Sequence, residues 1–139
     1  MTTPQWLTSE EIIAIHQEIL AVSGGQAGIL NPNAMDSTLA KAQNLYYYSD
    51  QQATLYQLAA AYGYGFIKNH CFVDGNKRIA LIAVYTFLAI NGIELIASEV
   101  EAARYFWQLA SSHNNQDNDV EQLAQWLETH SQAISDMNL

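Results

Sequence analysis

Basic residues are scarce in this sequence. Lys and Arg together number five among 139 residues, against 14 Asp and Glu, so the formal net charge at pH 7 is −9. Binding of nucleic acid irrespective of its sequence, or of an anionic membrane, requires a basic surface that this composition does not supply. We therefore expect no nucleic acid and no membrane among the partners of the protein.

Cysteine and long apolar runs are scarce as well. The single Cys excludes an internal disulfide and fits a reducing compartment. The apolar stretch 79–90 is too short to span a bilayer, and the N-terminal residues lack the basic and apolar regions of a signal peptide. These features predict a soluble cytoplasmic protein. The length and the 50% hydrophobic content predict one domain over residues 1–139.

Helical periodicity dominates what is present. Capping boxes at Thr8–Glu11 and Ser98–Glu101 indicate two helix starts. The stretch 79–90 is apolar on almost every face, as a central helix should be, and we place this buried helix over residues 77–91. The whole pattern predicts an all-α bundle of about six helices.

The first half of the chain contains two less regular segments. Asn31 is expected to cap a short helix over residues 33–42, followed by a tyrosine-rich loop over 43–52 in which no apolar period survives. A helix over 53–69 contains Gly63 and Gly65. Each glycine costs about 1 kcal/mol relative to Ala in a helix interior, so we expect a neighbouring helix to approach closely at both.

The second half of the chain carries three further expectations. Residues 93–97 should form an extended link. The helix that begins at the second capping box should then bury the residues Val100, Ala103, Trp107 and Ala110. A final helix should be capped by Asn118, and the tail after Thr129 should be frayed.

Three of the five basic residues lie within one short segment. Lys68, Lys77 and Arg78 fall within eleven residues, and such clustering in an acidic protein indicates a local anion. A loop over 70–75 ends in Gly75 and leads into the central helix, which Asn76 is expected to cap. A glycine-containing loop that runs into a helix N-terminus is a common phosphate-binding arrangement.

The same segment supplies residues for proton transfer and for metal binding. His70 is a candidate general base, and Asp74 is a candidate Mg²⁺ ligand, because magnesium is often held by one carboxylate together with substrate phosphates. Taken singly, His70 could cap a helix and Asp74 could belong to a turn. Cys71 beside His70 leaves a thiol nucleophile as a minor alternative. The combination favours a phosphate site with Gly75, Asn76, Lys77 and Arg78 as ligands.

The residues His70, Phe72, Asp74, Asn76 and Arg78 resemble, at the same spacing, the signature of the Fic/Doc family. Lys77, where typical Fic domains have Gly, and Leu81, where they have a second Arg, resemble the death-on-curing branch. The resemblance implies a Fic/Doc fold. It also implies that the predicted loop over 43–52 is the flap that positions a target segment, although a solvent-facing loop explains it equally well.

The resemblance also implies a function. Fic/Doc proteins transfer a phosphate-containing group from a nucleoside triphosphate such as ATP to a hydroxyl of a protein, with Mg²⁺. His70 would then be the base, Asp74 the metal ligand, and Lys77 and Arg78 would stabilise phosphate charge. Phosphoryl transfer is favoured, and AMP transfer or a non-catalytic binding module are the alternatives. The resemblance further implies a toxin that is held in check by a separate antitoxin polypeptide.

Overall fold

The computed structural model describes residues 3–134. Within that range the chain folds into six α-helices and one small antiparallel pair of strands. The elements in chain order are α1 (Ser9–Ser23), α2 (Pro32–Tyr48), α3 (Leu55–Lys68), α4 (Asn76–Ile90), β1 (Ile93–Leu95), α5 (Glu99–Ala110), α6 (Gln116–Thr129) and β2 (Ser131–Ala133). The predicted all-α fold is confirmed.

Side-chain caps define several helix starts. Thr8 and Glu11 form the predicted capping box at the start of α1, and Ser98 and Glu101 form the one at the start of α5. Each box satisfies two backbone N–H groups that would otherwise have no partner within the helix. The side chain of Asn31 caps α2, as predicted, by accepting a hydrogen bond from the Ala34 N–H at 3.1 Å.

The helices α3 and α4 form the centre of the molecule. Helix α3 packs against α2, α4, α5 and α6, and its two glycines lie at these contacts. A Cβ atom on Gly63 would lie 2.9 Å from Val84 Cγ2, and one on Gly65 would lie 2.5 Å from Thr38 Cγ2. Both distances are too short for a side chain, so the predicted reason for the two glycines is confirmed.

Helix α4 is the predicted central helix, with its start one residue earlier than expected. Its buried residues are Ile79, Ala80, Ala83, Val84, Phe87 and Leu88. Lys77, Arg78 and Tyr85 remain exposed. The helix is therefore buried along most of its length and open to solvent at its N-terminal turn.

The loop predicted over residues 43–52 is wrong for residues 43–48, because α2 continues to Tyr48, whereas residues 49–52 lie outside any helix. Leu39, Ala42 and Tyr46 are buried and recur at helical spacing. Tyr46 is only 5% exposed and packs edge-on against Trp6, with 5.7 Å between ring centroids. Tyr46 therefore belongs to the core, and the helical spacing of buried residues continues through the segment.

The inward face predicted for α5 is also wrong. The buried residues are Ala102, Phe106 and Leu109, whereas Val100 and Trp107 are 66% and 64% exposed. Two apolar stripes run along this helix about one residue apart, which corresponds to roughly 100° around the axis. The stripe that contains Phe106 faces the core.

The C-terminal elements differ from expectation at two places. Helix α6 is capped by Asn115, whose side chain accepts a hydrogen bond from the Asn118 N–H at 2.8 Å, so the cap predicted at Asn118 is wrong by three residues. The tail does not fray directly after Thr129. Residues 131–133 pair with the predicted extended link, of which Ile93–Leu95 forms β1. The rest of the predicted frayed tail, residues 135–139, lies outside the described residues.

No helix in residues 3–134 is long and apolar enough to cross a membrane.

Candidate active site

The loop of residues 70–75 joins α3 to the open end of α4. Gly75 is the N-cap of α4 and has a φ of +82°, a left-handed conformation that glycine adopts without strain. No side chain in the described part of the chain caps this helix, and the cap predicted at Asn76 is therefore wrong. The first-turn N–H groups and the positive end of the helix dipole remain available to an anion.

Asn76 is the first residue of α4, and its side chain holds the loop. Its Oδ1 accepts a hydrogen bond from the Phe72 N–H at 3.0 Å, and its Nδ2 donates to the Phe72 carbonyl oxygen at 2.8 Å. Both ends of the amide are thereby engaged. Asn76 can offer an anion its backbone N–H, while its side chain fixes the shape of the loop.

His16 of α1 contacts the loop through a hydrogen bond and a ring stack. It is 4% exposed and lies on the buried face of α1 with Ile12 and Ile19. Its Nε2 lies 2.8 Å from the Asp74 carbonyl oxygen, which can only accept, so Nε2 carries the proton. Its ring stacks on Phe72 with 3.8 Å between centroids. The sequence alone did not place His16 beside the loop.

A glycine-rich segment after α1 pairs with the loop along its other edge. The Val73 N–H donates to the Gly28 carbonyl oxygen at 3.1 Å, and the Leu30 N–H donates to the Cys71 carbonyl oxygen at 2.9 Å. A Cβ on Gly25 would lie 2.9 Å from Asp74 Oδ2, so glycine allows this backbone to approach the carboxylate. Sequence reasoning missed this role, for which the glycines at 24, 25 and 28 were the available signal.

His70 is exposed and stands directly after the end of α3. Its φ is +47°, a left-handed conformation that costs a non-glycine residue about 1–3 kcal/mol. The residue before His70 is Asn69, the C-cap of α3. Its Nδ2 donates a hydrogen bond to Thr38 Oγ1 at 2.8 Å, which anchors Asn69. His70 thus follows an anchored residue and is itself exposed.

The Asp74 carboxylate is exposed and oriented by backbone N–H groups. Gly75 N–H donates to Oδ1 at 2.9 Å and Gln26 N–H donates to Oδ2 at 3.3 Å. Residues 3–134 contain no cluster of three or more His, Cys, Asp or Glu side chains that could hold a metal by themselves. One ordered carboxylate beside an uncapped helix start nevertheless fits Mg²⁺, which commonly takes its other ligands from substrate phosphates and water.

The three clustered cations point in different directions. Lys68 Nζ donates to the Ser112 and Ala110 carbonyl oxygens at 2.9 and 3.3 Å, so it joins α3 to the end of α5 and lies apart from the phosphate site. Lys77 places its Nζ 4.1 Å from the centroid of the Trp107 ring, and Arg78 Nη1 donates to Ser23 Oγ. Lys77 and Arg78 thus flank the start of α4 on its α5 and α1 sides.

The contact between Lys77 and Trp107 is weak enough to be exchanged. An exposed cation–π contact contributes about 0.5–1 kcal/mol, whereas a hydrogen bond to a charged group contributes about 1.5–3 kcal/mol. The Lys77 side chain is exposed. A phosphate bound at the first turn of α4 would therefore attract its ammonium group more strongly than the indole does.

Cys71 lies in the core rather than in the site. It is fully buried, and its Sγ lies 4.0 Å from Thr38 Oγ1. Burial raises the pKa of the thiol, so the nucleophilic thiolate is disfavoured. The thiol-nucleophile alternative therefore has no support in the geometry.

The molecule also has a groove that is separate from the loop. It has a volume of about 710 Å³ and lies between α2, α3 and α6. Asn69, the residue before His70, belongs to its lining, and the other loop residues do not. The groove and the loop therefore meet at Asn69.

Comparison with known proteins adds to this geometry. A family model described as Fic/DOC family matches residues 6–88. The chain is similar to the toxin Doc of Mycolicibacterium smegmatis, with 39% identity over 74 residues, 53% of this chain and 57% of that protein. It is similar to the protein kinase doc of Escherichia phage P1, with 29% identity over 92 residues, 66% of this chain and 72% of that protein. The matched part thus covers less than two thirds of the Mycolicibacterium toxin.

Proposed function

The chain belongs to the Fic/DOC family, and from that premise we propose that it transfers a phosphate-containing group from ATP to a hydroxyl of a protein target. The carrying observation is the uncapped start of α4 behind Gly75, with the exposed His70 in the loop that leads into it. Transfer of the terminal phosphoryl group is favoured. Lys77 and Leu81 support this choice, as does the relative named protein kinase doc.

The proposed step assigns one role to each residue. The target hydroxyl oxygen bonds to the γ-phosphorus, the bond from that phosphorus to the bridging oxygen breaks, and ADP leaves with the electron pair. The hydroxyl proton passes to the imidazole of His70. The backbone of Gly75 and Asn76 and the side chains of Lys77 and Arg78 hold the phosphates.

Asp74 would hold Mg²⁺ in this proposal. The ion, when bound, would neutralise part of the phosphate charge. The hydrogen bonds from Gly75 and Gln26 fix the orientation of the carboxylate. The chain itself contributes this single carboxylate, and the remaining ligands would come from ATP and water.

Labelled ATP tests the reaction. The protein is incubated with Mg²⁺, a lysate of its host, and ATP that carries the label on either the γ- or the α-phosphorus. Label from the γ position in a protein band is the expected result. Label from the α position would instead show AMP transfer, and no label from either position would favour a binding module without catalysis.

We further propose that the protein is the toxin of a type II toxin–antitoxin pair and that a separate polypeptide inhibits it. Support comes from the relative named toxin Doc. The test is expression of this chain in a bacterial host, alone and together with the product of the neighbouring gene. Growth arrest that the neighbour relieves, with co-purification of the two proteins, is expected. Harmless expression of the active enzyme, with no binding of that product, would contradict the proposal.

A further inference from the structure

We infer that Trp107 binds the base of the nucleotide by stacking, an inference that rests on the proposed phosphate site at α4. Trp107 is 64% exposed, which is unusual for so large an apolar side chain. Its ring lies under the Lys77 ammonium at 4.1 Å. A large aromatic surface therefore borders the place where the triphosphate would bind.

The α5 side of the site presents the exposed ring of Trp107 beside Lys77. On the α1 side, the segment of residues 25–30 is hydrogen-bonded to the loop through Gly28, Leu30 and Gln26. On the α5 side, Lys68 fixes the end of α5 through the Ser112 and Ala110 carbonyl oxygens. Trp107 is thus held beside the site by a rigid element while its own ring remains exposed.

Other exposed aromatic side chains in the described part of the chain lie farther from the site. Tyr85 is eight residues beyond Lys77 on α4, which corresponds to about 12 Å along the axis at a rise of 1.5 Å per residue. Tyr47 and Tyr48 end α2. Trp107 is the one of these four that contacts a proposed phosphate ligand.

Lys77 contacts Trp107 and is also a proposed phosphate ligand, so it connects the proposed positions of the base and the phosphates. Its ammonium covers the indole face of Trp107 at 4.1 Å. When phosphates attract Lys77, that face is released and can stack on the base. Stacking on an aromatic ring is tolerant of base identity, because every base presents a π-face, so the inference predicts binding of several nucleoside triphosphates.

The test compares Mg–ATP with Mg–tripolyphosphate, which carries the phosphates but no base. Dissociation constants are measured by calorimetry for the full chain and for Trp107→Ala, Trp107→Phe and Val100→Ala. Val100 is the matched control, because it is a comparably exposed apolar residue on the same helix. Circular dichroism establishes that each variant is folded.

ATP is expected to bind the unaltered chain more tightly than tripolyphosphate does. Trp107→Ala should weaken ATP binding by about 5- to 150-fold, the range for loss of one base–aromatic stack. It should leave tripolyphosphate binding unchanged or tighten it by up to about fivefold, because Lys77 no longer has to leave the indole. Trp107→Phe should retain most of the ATP affinity, and Val100→Ala should retain all of it.

Three results would overturn the inference. If ATP and tripolyphosphate bind equally well, the base makes no contact. If Trp107→Ala weakens both ligands equally, Trp107 acts only by positioning Lys77. If the unaltered chain binds neither ligand, the proposed phosphate site fails together with the inference. The first two results leave the proposed reaction intact, so the two failures can be distinguished.

Discussion

His70 is a residue whose backbone and side chain both indicate function. Its left-handed φ of +47° costs stability, and the residue is exposed. An exposed histidine beside the helix end that we propose to bind phosphate is well placed to accept a proton from an incoming hydroxyl.

We predict that His70→Ala lowers the transfer rate by about 100- to 10,000-fold, the usual contribution of a general base. Binding of Mg–ATP and the midpoint of urea unfolding should change little, because the side chain is exposed. The rate is measured with labelled ATP under single-turnover conditions. His113→Ala, at an exposed histidine outside the loop, is the control. Near-normal transfer by His70→Ala would show that another group is the base.

Cys71 shows the opposite behaviour, because it lies in the same loop but belongs to the core. Burial raises the pKa of its thiol, so at a given pH the folded protein contains less thiolate than an exposed cysteine would. We predict that iodoacetamide modifies Cys71 at pH 8 at least about tenfold more slowly in the native protein than in urea. Mass spectrometry follows the reaction over time. Equal rates in the two conditions would show that the thiol is accessible.

At the scale of elements, the glycines of α3 set the distance between the central helices. Gly63→Ala would gain about 1 kcal/mol of helix propensity, but its Cβ would lie 2.9 Å from Val84 Cγ2 and 3.2 Å from Leu123 Cδ2. Overpacking of this kind typically costs about 1–3 kcal/mol. The steric term should therefore equal or exceed the propensity term.

We predict that Gly63→Ala lowers the free energy of unfolding by up to about 2 kcal/mol, measured by urea denaturation. Ser37→Ala is the control, since residue 37 is an exposed position on α2 where only propensity changes. It should be neutral or stabilise by a few tenths of a kcal/mol. A stabilised Gly63→Ala protein would show that α4 and α6 can move away from α3 at no cost.

The helices differ in how far the sequence alone predicts them. Capping boxes such as Thr8–Glu11 are local, so their positions follow from a few adjacent letters. The phase of α5 is not local. Phe106 and Trp107 are adjacent and both large, and only the surfaces of α3 and α4 determine which one is buried. For the same reason the burial of Tyr46 against Trp6 could not be predicted from the segment around it.

The residues of the candidate site likewise fall into those that the sequence alone predicts and those that it does not. The spacing of His70, Asp74 and Gly75 predicts the loop and its place before α4, since these residues are close in sequence. The support from His16 and Gly28 comes from a different part of the chain. The glycines at 24, 25 and 28 mark an unusual segment, but nothing local identifies the residues with which it pairs. Asn76 was identified as a site residue, but its hydrogen bonds to Phe72 depend on the conformation of the loop.

At the scale of the whole molecule, five cations are distributed through a chain of net charge −9. Sequence spacing suggested that Lys68, Lys77 and Arg78 act on one anion. The structure assigns Lys68 to the carbonyl oxygens at the end of α5, while Arg78 remains at the start of α4 beside Ser23. Because so few positive charges are present, each should have a distinct and separable effect.

We predict that Lys68→Met and Arg78→Met have opposite consequences. Lys68→Met removes two charged hydrogen bonds and should lower the free energy of unfolding by about 1–3 kcal/mol, with ATP binding nearly unchanged. Arg78→Met should weaken ATP binding about tenfold or more, a loss of about 1.4 kcal/mol or more, with stability nearly unchanged because the side chain is exposed. Urea denaturation and calorimetry measure the two effects. If Lys68→Met weakened ATP binding as much as Arg78→Met, the clustered cations would form one site after all, and the division of roles seen in the structure would not hold in solution.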